Sequence, residues 1–159
     1  ILDKTVRVGD LVYLDADTRG TIEKIGFRST KIKTADNELI IIPNSKLADS
    51  KIQNIALPEP KSRVTINFSV GYGSNVEKVK KLVIKELGSI KLTCKNPEPS
   101  VQFLNMGTSS LDFKAFFFVD HYDDRGKAID EANTKIYNAL NKNKIEITFT
   151  QMDIRIKKR

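Results

Sequence analysis

Pro58-Glu59-Pro60 is the strongest boundary in the chain. X-Pro pairs favour extended, non-helical backbone, and the hydrophobic period differs on the two sides. Upstream, Val6-Arg7-Val8 and Leu11 to Leu14 flank a turn at Gly9-Asp10. Thr21, Ile22 and Ile25, with Gly20 and Gly26 at the sides, predict a third short strand. Arg28 to Thr34 alternates, placing Thr30 and Ile32 on one face and Lys31 and Lys33 on the other, the pattern of a half-buried strand. Asp36-Asn37 is a turn signal. Leu39 to Ile42 is an apolar strand that Pro43 ends, because proline lacks the N–H that a central strand needs. Asn44 is then placed to cap a short helix through Ser45, Lys46, Leu47 and Ala48. Short strands punctuated by Gly and Asx residues predict a small barrel or sandwich.

Downstream the order changes. Arg63 to Val70 alternates as a strand, with Val64, Ile66, Phe68 and Val70 on one face. Gly71-Tyr72-Gly73 turns the chain, and Ser74 with Glu77 reads as a capping box. Val76, Val79, Val83 and Leu87 follow helical spacing up to Gly88, a natural stop. Val101 to Met106 and Leu111 to Val119 form a hairpin across Gly107-Thr108-Ser109-Ser110. Asp123 or Asp124 can cap a second helix with Ile129, Ala132, Ile136 and Leu140 on its face, and Asn143 is a left-handed stop. With Ile145 to Phe149 as a last strand, the order is strand, helix, strand, strand, helix, strand: the split βαβ, ferredoxin-like pattern.

The tail breaks phase. Ile145, Ile147 and Phe149 occupy odd positions, while Met152, Ile154 and Ile156 occupy even ones. A one-residue shift sends side chains to the opposite face of a sheet. Met152, Asp153, Ile154, Arg155 and Ile156 therefore read as a separate strand with no partner in its own chain.

Composition narrows the chemistry. The one Cys, Cys94, cannot form an internal disulfide and fits a reducing compartment. No metal site can be built from one Cys and one His, and no cofactor is expected. The aliphatic run Leu39 to Ile42 is far short of the roughly 20 residues of a membrane helix. No charged start leads into an apolar stretch, as it does in a signal peptide. The chain opens at Ile1 without Met, as a fragment or processed chain does. Net charge is +7, with 18 of the 27 Lys and Arg and 12 of the 20 Asp and Glu lying beyond position 57. Such a balance attracts nucleic acid, anionic lipid or small anions, or is simply a solvated basic surface.

Three constellations invite a chemical reading. Gly71-Tyr72-Gly73 lies where a phosphate loop would, but lacks the third glycine of a dinucleotide fingerprint and the Gly-Lys-Ser/Thr of a P-loop, so a plain turn is favoured. Asp120-His121-Tyr122-Asp123-Asp124 sets the only His among carboxylates, which suits metal binding or acid–base work. Its place between a strand and a helix suits Asp capping better. Phe113, Phe116, Phe117 and Phe118 resemble the base-stacking strand of RNA-binding ferredoxin-like domains, yet the glycine of that signature is missing, which favours core packing. No nucleophile–base pair is present, and the chain is not read as an enzyme.

The stretch from Gly20 to Asn54 resembles the cytoplasmic β-domain of the small-conductance mechanosensitive channel (MscS) family. The matching residues are Gly20-Thr21, Gly26-Phe27-Arg28-Ser29-Thr30, Asp36-Asn37 and Ile42-Pro43-Asn44-Ser45, with Val8-Gly9-Asp10 upstream and Phe149-Thr150-Gln151-Met152-Asp153 at the far end. One departure stands out: Thr148-Phe149-Thr150-Gln151 replaces the usual Pro-Phe-Pro-Gln. The resemblance implies a cell-membrane parent with helices upstream of Ile1 and this region on the cytoplasmic side. Seven chains would form a ring, with the β-domain under the pore helices, an α/β cage with portals for ions and small osmolytes, and a C-terminal strand closing the bottom. It implies opening under tension after osmotic downshock. Gly20, Gly26, Arg28 and Thr30 would form the β-domain motif, and Pro43, Asn44 and Ser45 a loop coupled to the pore.

The expected fold is α+β: an Sm/SH3-like all-β domain over 1–57, a ferredoxin-like α/β domain over 58–150, and an oligomerisation strand with a basic tail over 151–159. The residues by themselves also allow an RNA-binding module that pairs a small barrel with a ferredoxin-like domain, or a scaffold domain with no conduction role. Ile42-Pro43-Asn44-Ser45 and the spare tail strand favour the channel, since an RNA module needs neither.

Overall fold

A computed structural model describes residues 6–14, 18–152 and 154. The chain is mixed α and β with antiparallel sheets, and divides into two compact units, Ile1–Lys61 and Ser62–Arg159.

The first unit is a five-stranded sheet of β1 (Leu11–Leu14), β2 (Thr18–Ile25), β3 (Ser29–Lys33), β4 (Leu39–Pro43) and β5 (Ile52–Asn54), in the order β4-β3-β2-β1-β5. Alternation does the work predicted for β3: Thr30 and Ile32 are fully buried and Lys33 is exposed. Their neighbours Val12, Leu14 and Ile22 complete a small core, which Leu47 of the one-and-a-half-turn helix α1 (Asn44–Asp49) closes. The sheet differs from expectation at one end. Val6-Arg7-Val8 forms no strand; Val6 packs into the core, and Gly9, in a left-handed conformation, donates its N–H to Ile22. The fifth strand is instead Ile52–Asn54, which pairs with β1. Three residues are too short to show a period, so this strand leaves little trace in the sequence.

The second unit holds β6 (Ser62–Val70), α2 (Val76–Gly88), β7 (Ser100–Met106), β8 (Leu111–Val119) and α3 (Arg125–Lys142), with sheet order β6-β8-β7. Nine residue pairs join β6 to β8 in unbroken register from Ser62–Val119 to Val70–Leu111. Val79, Val83 and Leu87 of α2 and Ala132, Ile136 and Leu140 of α3 bury against Val64, Ile66, Phe113 and Phe117. Among the described residues no helix is long and apolar enough to cross a membrane.

In this unit capping differs from the sequence reading at three helix ends. Asn75, not Ser74, caps α2: its side chain accepts from Lys78 N at 2.9 Å, while Glu77 pairs with Lys80 at 3.0 Å. Neither Asp123 nor Asp124 caps α3 through its side chain; both sit in a 3₁₀ turn, Tyr122–Asp124, which His121 opens by accepting from Asp123 N. The left-handed residue after α3 is Lys144 (φ 56), not Asn143, whose amide instead donates to Ala139 O. The last expected strand, Ile145 to Phe149, joins no ladder. Ile145 is buried and Ile147 packs on the core, but the sheet has three strands, and the segment is bonded to the residue just past β6, Gly71 N donating to Glu146 O at 2.8 Å.

Candidate functional site

The loop that follows β4 is built differently from the cap it was expected to be. Pro43 ends the ladder opposite Ser29 and stands as the N-cap of α1, which has no side-chain cap. Asn44 turns back instead. Its amide Nδ2 donates to the carbonyls of Gly26 (2.9 Å) and Phe27 (3.1 Å), and its Oδ1 accepts from the hydroxyl of Thr30 at 2.9 Å. Its backbone N–H donates to Arg28 O at 2.9 Å. One side chain thus brackets the whole β2–β3 turn.

The motif residues fall around that bracket. Thr30 is fully buried, so its hydroxyl needs a partner, and Asn44 supplies it. Gly26 closes the turn through its N–H to Ser29 O, and a Cβ there would stand 2.9 Å from that same oxygen. Gly20 sits where a Cβ would meet Ile32 Cγ2 and Lys33 O, each at 2.6 Å. Arg28 contributes its carbonyl while its side chain is exposed. Ser45 is exposed beside Asn44. The turn carries Phe27 at its tip, 97% exposed. The sequence reading missed the bracket because Asn before a helix is far more often a cap; the signal was a buried Thr30, fourteen residues away.

A second polar cluster ties the β7–β8 hairpin to its surroundings. Asp112 accepts from Ser110 Oγ (2.8 Å), Ser69 Oγ (2.9 Å) and Asn105 Nδ2 (3.2 Å). These donors, the Ser110 and Ser69 hydroxyls foremost, hold its carboxyl below the usual carboxylate range, with partial desolvation opposing them. At the same hairpin the Tyr72 hydroxyl donates to Gly107 O, and Gln151 N donates to Ser109 Oγ at 3.3 Å. The C-terminal segment therefore leaves the unit against this turn. Beyond it, Met152 and Ile154 are described as exposed and outside any strand. Asp153, Arg155 and Ile156, the rest of the expected ring-closing strand, lie outside the described residues.

The remaining candidates resolve into structure. Gly71 is buried with its N–H given to Glu146 O, and the Ser74 N–H returns to Gly71 O, the bonding of a turn. Asp120 accepts from the buried Cys94 thiol at 3.0 Å, and the His121 ring lies against Tyr122. Among the described residues no group of three or more His, Cys, Asp or Glu could hold a metal ion. The aromatic strand divides between two faces. Phe113 and Phe117 are core, whereas Phe116 and Phe118 are half-buried on the other side, where the Arg63 guanidinium lies 5.3 Å from the Phe116 ring.

Against known proteins, both units find a counterpart. Residues 1–57 match the family model described as the mechanosensitive ion channel β-domain, and residues 64–147 the model described as the mechanosensitive ion channel MscS C-terminal region. The chain belongs to the MscS family of mechanosensitive ion channels. It is 35% identical over 162 residues to the small-conductance mechanosensitive channel MscMJ of Methanocaldococcus jannaschii, covering 99% of this chain and 45% of that protein. With the mechanosensitive channel MscK of Escherichia coli it shares 32% identity over 156 residues, 98% of this chain and 14% of that one. The crystal structure of Helicobacter pylori MscS in a closed state superposes with a TM-score of 0.88 at 29% identity, covering 98% of this chain and 61% of that one. The chain thus spans less than half the length of these two sequence relatives. None of these matches is named for nucleic-acid binding.

Proposed function

We propose that this chain is the cytoplasmic vestibule of a mechanosensitive channel that opens under membrane tension on osmotic downshock. The observation that carries this is the superposition of nearly the whole chain on H. pylori MscS. On this reading 1–57 is an Sm/SH3-like β-domain, 58–150 a ferredoxin-like α/β domain, and 151–159 the C-terminal strand and basic tail. The order β6-β8-β7 with the 145–149 segment bonded beside β6 supports the ferredoxin-like assignment. Seven copies form a ring-shaped cage with side portals for ions and small osmolytes, below membrane helices that lie upstream in the parent. The chain has no enzymatic role. Pro43, Asn44 and Ser45, braced on the β2–β3 turn, couple the β-domain to the pore, and Met152 to Ile156 close the ring.

A chimera tests the proposal. The region of H. pylori MscS that superposes on this chain is replaced by it, and patches are recorded under suction. Tension-activated currents are expected. A chimera that reaches the membrane at native oligomer size, yet never conducts under tension, would contradict the reading.

A further inference from the structure

Helix α2 carries Lys78, Lys81 and Lys85 on one exposed face, lining an open groove of about 500 Å³ that Asn143, just past α3, closes on the other side. By helix geometry the three positions rise by about 4.5 and 6 Å along the axis, close enough for one multiply charged group to reach two ammonium groups. Among the described residues no carboxylate pairs with any of the three; Glu77, the one acid in the groove, is taken by Lys80 at 3.0 Å. Three carbonyls in the last turn of α3 are also already partnered. The carbonyls of Ala139, Leu140 and Asn141 accept from Asn143, Ile145 and Lys144. Lys81 and Lys85 stand at i and i+4, where like charges cost helix stability. The helix dipole favours Lys85 in the last turn of α2, whereas Lys78 in the first turn stands against it. Leu82 and the lysine stems give the groove an apolar floor beneath its cationic rim.

We propose that this groove binds a small soluble polyanion, a phosphate chain on an apolar body, with Lys78, Lys81 and Lys85 holding the charge and Leu82 the body. The proposal rests on the second unit's own geometry and stands apart from the channel reading.

The test uses the 159-residue chain with ATP and inorganic tripolyphosphate as probes, followed by calorimetry and by backbone amide shifts. Saturable binding is expected, with shifts centred on residues 78–85. The triple variant Lys78→Gln, Lys81→Gln, Lys85→Gln should weaken it by about tenfold or more, the loss of several charge-assisted contacts. A control triple in the first unit, Lys24→Gln, Lys31→Gln, Lys33→Gln, removes the same charge and should leave affinity nearly unchanged. Equal weakening by both triples would reduce the effect to net charge and overturn the site. Absence of saturable binding to either probe overturns it as well. Uptake of the chain by phosphatidylglycerol vesicles through these lysines, without binding of the soluble probes, would assign the groove to a lipid surface and refute the proposal.

Discussion

Asn44 makes three side-chain hydrogen bonds where a helix cap would make one. The difference has a measurable size. Loss of a cap costs about 1 kcal/mol. Loss of three bonds, two of them part-buried, leaving the buried Thr30 hydroxyl without its partner, should cost about 2 kcal/mol or more. Urea unfolding of Asn44→Ala, followed in the first unit, distinguishes the two, and a loss below about 1 kcal/mol would argue against the bracket. Asp112 gives a prediction of a different kind. Its carboxyl is held below the ordinary value of 3.8 by the Ser110 and Ser69 hydroxyls and the Asn105 amide. A depressed folded pKa stabilises above the unfolded pKa, and that contribution is lost as pH falls through the folded one. The stability difference between the native chain and Asp112→Asn should therefore be constant above about pH 5 and shrink below about pH 4. A difference that does not change with pH would show that the carboxylate's charge contributes nothing.

At the scale of elements, strong period was legible and weak period was not. The nine-residue strands β6 and β8 and both long helices declare themselves, because Val79, Val83 and Leu87, or Val64 and Ile66, repeat a face several times. Ile52–Asn54 has three residues and was invisible. Ile145 to Phe149 has the alternation of a strand, yet forms no ladder; its inward residues Ile145 and Ile147 pack on the core, which is what its pattern recorded. Alternation reports burial of one face, not hydrogen bonding. The α2 cap was misassigned to an adjacent residue because Ser74-Asn75 offer equivalent oxygens, and at α3 a 3₁₀ turn takes the Asp123 and Asp124 side chains out of the capping role. Close approach was equally hidden. Gly20 was read as a strand margin, but it lies inside β2, where a methyl would strike Lys33 O and Ile32 Cγ2. Gly20→Ala should cost about 1–3 kcal/mol through overpacking. Thermal unfolding at the native midpoint would expose an error if the variant were as stable as the parent.

At the scale of the whole molecule, the proposal makes assembly and gating depend on separate parts of the chain. If Met152 to Ile156 closes the ring, light scattering should find residues 1–159 assembled and residues 1–150 not, while circular dichroism stays unchanged. An unpaired strand edge recruits another chain, so equal assembly by both forms would remove the tail from that role. The most direct measurement concerns the bracket. In the conducting chimera, Asn44→Ala removes all three side-chain bonds between the 43–45 loop and the β2–β3 connection, and Thr30→Val removes one of them from the opposite side. Patch currents under sustained suction should show altered inactivation in both variants, in the same direction, at unchanged single-channel conductance. Inactivation identical to the parent chimera in both variants, with only a lowered melting temperature, would reduce Asn44 to a structural brace and contradict its role in coupling.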